Sequence, residues 1–156
     1  RNEHLTARRL NTISSEAVYS LYERYINTRH ADGDMYPPTG EQYRSFLVER
    51  LSSTFYVGFY DDVELVAVSI IDYVQDGLSA LYTFYDPDLS RQALGVYAIL
   101  WQIEECQRLD LPYLYMGYWI NDCRKMSYKT LYQPQEHLLG NEWVRLPEKI
   151  PAISKA

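Results

Sequence analysis

Aromatic rings and cations are concentrated in one stretch of the chain. The largely apolar segment Tyr113-Leu-Tyr-Met-Gly-Tyr-Trp-Ile120 is followed by Arg124, Lys125 and Lys129, with Tyr128 directly before the last lysine. Lysines four positions apart share one face of an α-helix. Cations beside stacking rings suit a phosphodiester backbone with an unpaired base, whereas lysines alone would indicate only a solvated face. The sequence therefore predicts a pocket for a large anionic ligand at the end of a buried strand.

A second candidate for anion binding is the loop from Asp86 to Gly95. It carries Arg91 before a predicted helix, and a guanidinium can grip a phosphate or carboxylate at two points. A helix N-terminus also favours an anion. An ordinary capped turn with a solvated arginine would give the same sequence. Arg29 and His30, at the end of the first predicted helix, form a third candidate, for which favourable charges at a helix C-terminus are the alternative.

Metal, redox and nucleophilic-triad chemistry have no clear pattern in the sequence. His4, His30 and His137 stand apart and make no recognisable metal site, and no Ser-His-Asp or Cys-His arrangement can be argued. Cys106 and Cys123 have neither metal nor redox spacing. We therefore expect free thiols in a reducing, cytoplasmic setting.

Composition limits the size and the partners of the protein. The 156 residues fit one domain with a real core, and the net charge is −6. A free-standing nucleic-acid binder is usually basic, so we expect no DNA partner, although a local basic patch is compatible with this charge. No run of about 18 apolar residues is present, so no membrane span is expected. The chain opens on Arg1 rather than Met, and we expect a further region upstream of it.

The hydrophobic period indicates the elements that position these residues. Helical spacing predicts a first helix over 15–29 with a serine cap, and Thr39 with Gln42 forms a capping box that opens a second helix. From Thr54 the period changes to two, which predicts a three-stranded antiparallel meander ending at Asp86-Pro87. The middle strand is nearly all apolar and is expected to be central.

The rest of the chain predicts a crossover connection. Residues 91–109 form an apolar helix against the sheet, and a strand over 113–118 then pairs in parallel through a right-handed βαβ unit. A short helix near 123–131 and a strand near 142–146 follow. The order α-α-β-β-β-α-β-α-β is that of the GNAT-like acyltransferase fold. This α/β (α+β) fold has a mixed, mostly antiparallel sheet with helices on both faces, and the sheet splays to open a ligand cleft.

The coenzyme A signature of such folds is absent. Aligned on Arg91, the expected pyrophosphate-binding pattern needs small residues where the chain has Leu94 and Val96. These side chains would block a close approach of the backbone to a pyrophosphate. A GNAT-like domain with a different acyl donor is therefore the better interpretation.

Short stretches spread over residues 20–143 carry a resemblance to one family. They are Leu21-Tyr-Glu-Arg-Tyr-Ile26, Arg29-His30, Asp32-Gly-Asp-Met35, Asp76-Gly-Leu-Ser79, Tyr82-Thr-Phe-Tyr-Asp-Pro87, Leu94-Gly95, Ala98-Ile-Leu100, the segment 113–120, Met126-Ser-Tyr-Lys129 and Pro134. Together they resemble the carboxy-terminal domain of arginyl-tRNA–protein transferases, especially the short bacterial aspartate/glutamate leucyltransferases. One departure is Ala93, where the family often has a serine that adds a hydroxyl to a possible anion site.

The resemblance implies a transferase that moves leucine or arginine from aminoacyl-tRNA to the α-amino group of proteins with amino-terminal Asp or Glu. Such transfer marks the acceptor for degradation by the N-degron pathway in the cytoplasm. No cofactor is expected in this chain, whereas the family's upstream domain has a cysteine cluster for a metal or an iron–sulfur cluster. We expect a leading segment over 1–14, the transferase domain over 15–148 and a tail over 149–156. Activity without the upstream domain is left open.

The resemblance also suggests roles for the candidate residues. Asp86 would hold or deprotonate the acceptor amine, with a helix-start aspartate before proline as the alternative. Arg91, and next Arg29 or His30, would bind the acidic side chain of the acceptor. The pocket for the terminal adenosine and the aminoacyl group would be lined by Tyr82, Tyr115 and Tyr118. The tRNA would be bound by Arg124, Lys125, Tyr128 and Lys129.

Two other functions stay open on the sequence. One is a coenzyme A-dependent N-acetyltransferase of GNAT type, which has the same predicted fold order. The other is a non-catalytic module that binds acidic amino-terminal residues. The first predicts binding of acetyl-CoA, and the second predicts peptide binding without transfer of an amino acid.

Overall fold

The computed structural model describes residues 1–120 and 122–146, and the predicted tail over 149–156 lies outside them. The chain divides after Gly117 into two compact units. The first unit holds a five-stranded sheet and all the α-helices of the described residues. The second holds a short helix and a two-stranded hairpin.

The sheet of the first unit is mostly antiparallel. Its strands are β1 (Thr6–Leu10), β2 (Thr54–Asp61), β3 (Glu64–Val74), β4 (Gly77–Tyr85) and β5 (Tyr113–Tyr115). They lie in the order β1-β2-β3-β4-β5, and every pairing is antiparallel except that of β4 with β5. The predicted meander and the central position of β3 are confirmed.

Hydroxyl caps begin the first two helices. The helices of this unit are α1 (Glu16–Arg29), α2 (Gly40–Tyr43) with a π-helical turn (Arg44–Val48) directly after it, a 3₁₀ helix (Pro87–Gln92) and α3 (Leu94–Arg108). The Ser15 hydroxyl accepts a hydrogen bond from the N–H of Val18, and the Thr39 hydroxyl accepts one from the N–H of Gln42. Caps of this kind are worth about 0.5–2 kcal/mol each. Both predicted helix starts are confirmed.

Each face of the sheet buries a hydrophobic cluster. On one face, α3 packs through residues such as Ala98 against strand residues such as Phe59. On the other face, α1 and α2 pack against β3 and β4, and the ring of Tyr22 meets that of Phe84 at 5.5 Å between centroids. The predicted fold class, a mixed and mostly antiparallel sheet with helices on both faces, is confirmed.

The strand β1 lies in the segment that we expected to precede the fold. It pairs with β2, and Thr6 lies opposite Tyr60. The consecutive Arg8 and Arg9 hide its period of two in the sequence. Charged residues are typical of an edge strand, where they discourage pairing with another chain. The element order therefore begins with a strand that was not predicted, while the domain boundaries at 15 and 148 stay a prediction.

The sheet opens along the second half of β4. This strand pairs with β3 along its length but with β5 only from Gly77 to Ser79. Within the described chain, no strand pairs with the outer edge of residues 80–85. Leu81 forms a bulge that is skipped in the pairing with β3. It lies just past the fork of the sheet, the point after Ser79 where β4 and β5 cease to pair. The predicted splay of the sheet is present.

The predicted buried strand over 113–118 is wrong in length and burial. β5 ends at Tyr115, Tyr113 is 45% exposed, and Tyr118 lies beyond the strand with 90% exposure. A run of rings and apolar residues suggested a buried strand, but β5 is the last strand of its sheet and is covered less than a central strand.

The second unit contains a 3₁₀ helix (Arg124–Leu131) and a hairpin of β6 (Glu136–Leu139) and β7 (Glu142–Arg145). The predicted helix near 123–131 and strand near 142–146 are present. The strand pairs with β6 in a sheet of its own, an element that the sequence did not indicate. Over the residues that the structure describes, none of the helices has the length and apolar character needed to cross a bilayer.

Candidate functional site

Two helices, α1 and α3, converge on the ring of Tyr85 at the carboxyl end of β4. From α1, the ring of Tyr25 meets it edge-on at 4.9 Å between centroids. The guanidinium carbon of Arg29 lies 5.9 Å from the centroid of the same ring. From α3, Gly95 approaches so closely that a Cβ atom there would lie 3.2 Å from Cε1 of Tyr85. The end of the open strand is therefore a well-packed aromatic position with a cation beside it.

His30 joins this cluster at the end of α1. Its Nε2 lies 3.0 Å from the Tyr25 hydroxyl, and the two ring centroids are 5.0 Å apart. Its backbone N–H donates to the carbonyl oxygen of Ile26 and so closes the helix. Arg29 is exposed. The structure thus places the predicted Arg29 and His30 near the end of the strand that Asp86 follows.

Asp86 is largely buried directly after β4, with 10% of its side chain exposed. Its N–H donates to the carbonyl oxygen of Val66 at 2.8 Å. Its Oδ1 accepts hydrogen bonds from the N–H of Asp88 at 2.9 Å and from Nη2 of Arg24 at 2.8 Å. Asp86 therefore does cap the helix that follows it, which is the alternative that the sequence left open. Among the described residues, none donates a hydrogen bond to its other oxygen, Oδ2.

Arg24 links two carboxylates at this position. Its Nη2 lies 2.8 Å from Oδ1 of Asp86 and 2.9 Å from Oδ2 of Asp88. Partial burial alone would lower the pKa of Arg24, but attraction and hydrogen bonds from Asp86 and Asp88 outweigh it and raise that pKa. The guanidinium is therefore a permanent positive charge next to a buried carboxylate.

Arg91 does not lie at the start of the long helix, as the sequence predicted. It lies in the 3₁₀ helix with an exposed side chain, and α3 begins only at Leu94. Ala93 separates the two helices in the left-handed region, with φ of 52°. A left-handed residue breaks the helix between Arg91 and α3, and Ala93 has no side-chain cap to offer. The proposed contact of Arg91 with the acceptor stays a prediction.

Tyr82 lies on the open half of β4, half-buried on the α1 side. Its ring meets that of Phe46 edge-on at 5.7 Å between centroids. Burial, together with the nearby phenol of Tyr22, raises the pKa of Tyr82, so the group stays a neutral hydrogen-bond donor. Phe46 comes from the π-helical turn and is 40% exposed. An apolar wall with one phenolic hydroxyl thus lies beside the fork of the sheet.

Tyr115, the second tyrosine of the predicted pocket, lies elsewhere in the first unit. Tyr115 pairs with Ser79, and its hydroxyl donates to Oδ1 of Asp76 at 2.9 Å, in the turn before β4. Tyr82 comes three positions after Ser79 along the strand, which corresponds to a distance of roughly 10 Å. The hydroxyl of Tyr115 is thus held at the start of β4 rather than at its end. Tyr118 belongs to the second unit.

The basic cluster of the second unit is arranged differently from the prediction. In a 3₁₀ helix, residues three apart share a face and residues four apart do not. Lys125 is therefore aligned with Tyr128, and the predicted shared face of Lys125 and Lys129 is wrong. The ammonium of Lys129 is half-buried and donates to the carbonyl oxygen of Tyr118 at 2.5 Å, and burial lowers its pKa. The side chain of Arg124 lies outside what the structure describes.

Metal ligands are not gathered in this part of the chain. The described residues contain no group of three or more His, Cys, Asp or Glu side chains that could hold a metal ion. Cys106, on α3, is buried against the sheet, and Cys123 is half-buried; both are free thiols.

Four side chains at the site were not singled out from the sequence. Arg24, Tyr25 and Tyr85 lie within the stretches that carry the family resemblance, but their partners are distant in sequence, as for Arg24 and Asp86. Phe46 is positioned by a π-helical turn, which has no sequence signature of its own. For Arg24 and Tyr25, the charged and aromatic residues of α1 are a signal that could have pointed to them.

The fold has a solved counterpart. The ribosomal-protein-S18-alanine N-acetyltransferase from Escherichia coli superimposes with a TM-score of 0.60 and 20% sequence identity, covering 81% of this chain and 76% of that one. At this identity the likeness concerns the fold alone. The splayed sheet and the helices on both of its faces define the chain as a member of the GNAT-like acyltransferase fold class.

The family within that class is given by the sequence match. A family model described as "Arginine-tRNA-protein transferase, C terminus" matches residues 17–139. The match covers most of the chain and includes α1, the open strand β4 and all of α3. The chain belongs to this arginine-tRNA-protein transferase C-terminal family.

Curated relatives share about half of their residues with this chain. An aspartate/glutamate leucyltransferase of Alcanivorax borkumensis is 54% identical over 142 residues, which is 91% of this chain and 59% of that protein. One of Hahella chejuensis is 51% identical over 146 residues, which is 94% of this chain and 62% of that protein. The chain therefore spans about three fifths of the length of these relatives.

Proposed function

We propose that this chain is the acyl-transferring part of an aminoacyl-tRNA–protein transferase. It would move an amino acid from aminoacyl-tRNA to the α-amino group of proteins that begin with Asp or Glu, in the cytoplasm and in the N-degron pathway. The proposal is supported by family membership and by relatives named aspartate/glutamate leucyltransferase. The observation that carries it is the end of β4, where a carboxylate with one oxygen that receives no hydrogen bond from the described residues binds the guanidinium group of Arg24 and directly follows Tyr85, beside which the guanidinium group of Arg29 lies.

The main requirement of the reaction is that the protein positions the acceptor amine next to the aminoacyl ester. The acceptor ammonium loses one proton to solvent, and its pKa of about 7.7–8.0 leaves a useful neutral fraction near pH 7. The neutral amine attacks the ester carbonyl, a C–N bond forms, and the C–O bond to the ribose breaks. The second amine proton ends on the ribose oxygen. Good orientation supplies up to ~7–11 kcal/mol of the barrier reduction, so a rigid site suffices.

In this proposal the acceptor binds at the end of β4. Oδ2 of Asp86 contacts the acceptor amine, because Oδ1 is occupied by Arg24 and by the N–H of Asp88. Arg29 lies beside Tyr85, and His30 lies beside Tyr25. Both are proposed to bind the acidic side chain of the acceptor. A carboxylate for the amine, with a guanidinium and an imidazole for the acid side chain, would together select an amino-terminal Asp or Glu.

The aminoacyl group of the donor is proposed to bind along the open half of β4, and the second unit by itself is proposed to contact the body of the tRNA. Tyr82 and Phe46 offer an apolar wall for a leucyl side chain. Lys125 and Tyr128, aligned on the 3₁₀ helix, suit a phosphate and a stacked base of the tRNA. Leucine is the proposed donor because the relatives carry that name, although the family description mentions arginine.

A transfer assay on the full-length protein tests the proposal. Labelled leucyl-tRNA and arginyl-tRNA are each incubated with a peptide that begins with Asp or Glu, and with matched peptides that begin with Asn or Gln. We expect leucine to be transferred to the acidic peptides and not to the neutral ones. Peptide binding without transfer would support the non-catalytic module instead. Transfer of acetyl groups from acetyl-CoA to these peptides would support the N-acetyltransferase.

A further inference from the structure

The contacts of Asp86 divide its two oxygens into different roles. Oδ1 accepts one hydrogen bond from the Arg24 guanidinium at 2.8 Å and one from the backbone N–H of Asp88 at 2.9 Å. Oδ2 receives none from the described residues. A buried carboxylate held by a guanidinium and a backbone N–H cannot rotate without losing both bonds. The direction in which Oδ2 points is therefore fixed by Arg24 and by the first turn of the 3₁₀ helix Pro87–Gln92.

Arg24 reaches this carboxylate from a different element. It lies on α1, 62 positions before Asp86, and 46% of its side chain is exposed. Its second partner, Asp88, has 81% of its side chain exposed, and such an exposed ion pair contributes little to stability. The bond to Asp86 is the better-shielded of the two.

We infer that Arg24 is a positioning residue for the acceptor amine. By binding Oδ1 of Asp86, it leaves Oδ2 as the single carboxylate oxygen for the amine and fixes the direction from which the amine can approach. The inference rests on the proposed function and adds to it a residue that does not touch the substrate.

Steady-state kinetics on the full-length protein test this assignment. Leucine transfer to an Asp-starting peptide is measured for the wild type and for Arg24→Gln, Arg24→Lys, Asp86→Asn and the double variant Arg24→Gln/Asp86→Asn. We expect Arg24→Gln to lower kcat/KM for the peptide by about 10- to 100-fold, mainly through KM, with KM for leucyl-tRNA changed by less than about twofold. Arg24→Lys should restore part of the loss, because one charged bond to Oδ1 is kept.

Asp88→Asn is the matched control. It removes the exposed carboxylate that binds the same guanidinium but keeps the backbone N–H that caps Asp86. We expect kcat/KM within about threefold of the wild type. In the Asp86→Asn background, Arg24→Gln should have little further effect, because an arginine that acts only through Asp86 has nothing left to position.

The outcomes separate the two proposals. A wild type that transfers no amino acid from any aminoacyl-tRNA would refute the proposed function itself. An active wild type with unchanged peptide KM in Arg24→Gln, or with fully additive losses in the double variant, would refute the role of Arg24 alone. Equal losses toward peptide and tRNA with a lowered melting temperature would reduce Arg24 to a structural residue and so also refute it.

Discussion

Gly95 packs against the ring of Tyr85 at the end of the open strand, and a larger residue at position 95 would require the ring to shift by a few tenths of an ångström. A Cβ atom on Gly95 would lie 3.2 Å from Cε1 of Tyr85. The ring cannot withdraw easily, because Tyr25 packs against it edge-on at 4.9 Å. A glycine in a helix costs about 0.5–1 kcal/mol relative to alanine, so this close contact has a clear cost in helix propensity.

Gly95→Ala is expected to shift the Tyr85 ring and to lower transfer activity several-fold. The gain in helix propensity of up to about 1 kcal/mol offsets part of the strain, so the melting temperature should change little. Circular dichroism melts and the transfer assay measure the two effects separately. Gly40→Ala is the control, since a Cβ there meets nothing within 4 Å. Equal activity of both variants would show that the position of the ring is unimportant.

Local signals in the sequence were sufficient for much of the first unit. The caps at Ser15 and Thr39 and the meander of β2, β3 and β4 depend on spacing within a few residues, and the structure has all of them. The strand β1 was not predicted, because the consecutive Arg8 and Arg9 break the alternation of apolar and polar residues. Its place in the sheet is determined by pairing with β2, about 50 residues later, and not by its own composition.

The candidate site could be predicted only in part. Arg29, His30 and Asp86 were singled out by charge and position, but the bond between Arg24 and Asp86 joins residues that no local pattern relates. The start of α3 was misplaced because the left-handed conformation of Ala93 is unusual for alanine and leaves no sequence mark. Long-range contacts and single strained residues thus account for most of what the sequence did not show.

Arg29→Gln is expected to weaken recognition of acidic acceptors. The guanidinium is exposed beside Tyr85, so its removal should cost little stability. We expect kcat/KM for an Asp-starting peptide to fall about tenfold, consistent with the loss of one charged hydrogen bond, with no change for a matched Asn-starting peptide. Arg8→Gln is the matched control, since Arg8 lies 4.8 Å from the ring centroid of Tyr60 on the far edge of the sheet. A loss of equal size in Arg8→Gln would argue against a specific role for Arg29.

Lys125→Ala and Lys129→Ala are expected to differ, although both lysines come from one short helix. Lys125 is exposed, so its loss should weaken aminoacyl-tRNA binding and reduce the salt slope of the affinity by about 1. The ammonium of Lys129 is half-buried on the carbonyl oxygen of Tyr118, so its loss should leave the salt slope unchanged. Binding titrations over a range of salt concentrations measure both. Identical slopes for the two variants would contradict this division.

Lys129 should also make the stability of the folded protein depend on pH, in a direction that its pKa shift defines. Burial lowers its pKa in the folded protein below the ordinary 10.5, so the unfolded chain binds more protons between the two values. The free energy of unfolding therefore rises as the pH increases from the folded-state pKa of Lys129 up to 10.5. Denaturant titrations across this range should show the rise in the wild type and its loss in Lys129→Gln. A stability that falls equally in both proteins would mean that Lys129 is not desolvated.

Phe46→Ala is expected to reduce the preference for an apolar donor. The Phe46 ring is 40% exposed and meets Tyr82 at 5.7 Å between centroids, next to the half of β4 where the sheet is open. An apolar pocket distinguishes side chains by about 1–3 kcal/mol, so loss of this wall should lower kcat/KM for leucyl-tRNA by about tenfold or more. Any transfer from arginyl-tRNA should change less.

Tyr73→Ala is the control for Phe46→Ala. Tyr73 is 39% exposed and belongs to another ring pair, with Phe55 at 4.7 Å, at the end of β3 that lies beside the start of β4. Both substitutions remove a half-exposed ring, so they should lower the melting temperature by similar amounts. Only Phe46→Ala should alter the ratio of leucine to arginine transfer. A ratio that is unchanged in Phe46→Ala, measured in competition between the two charged tRNAs, would remove the Phe46–Tyr82 pair from the donor site and leave the side-chain preference to residues elsewhere in the full-length protein.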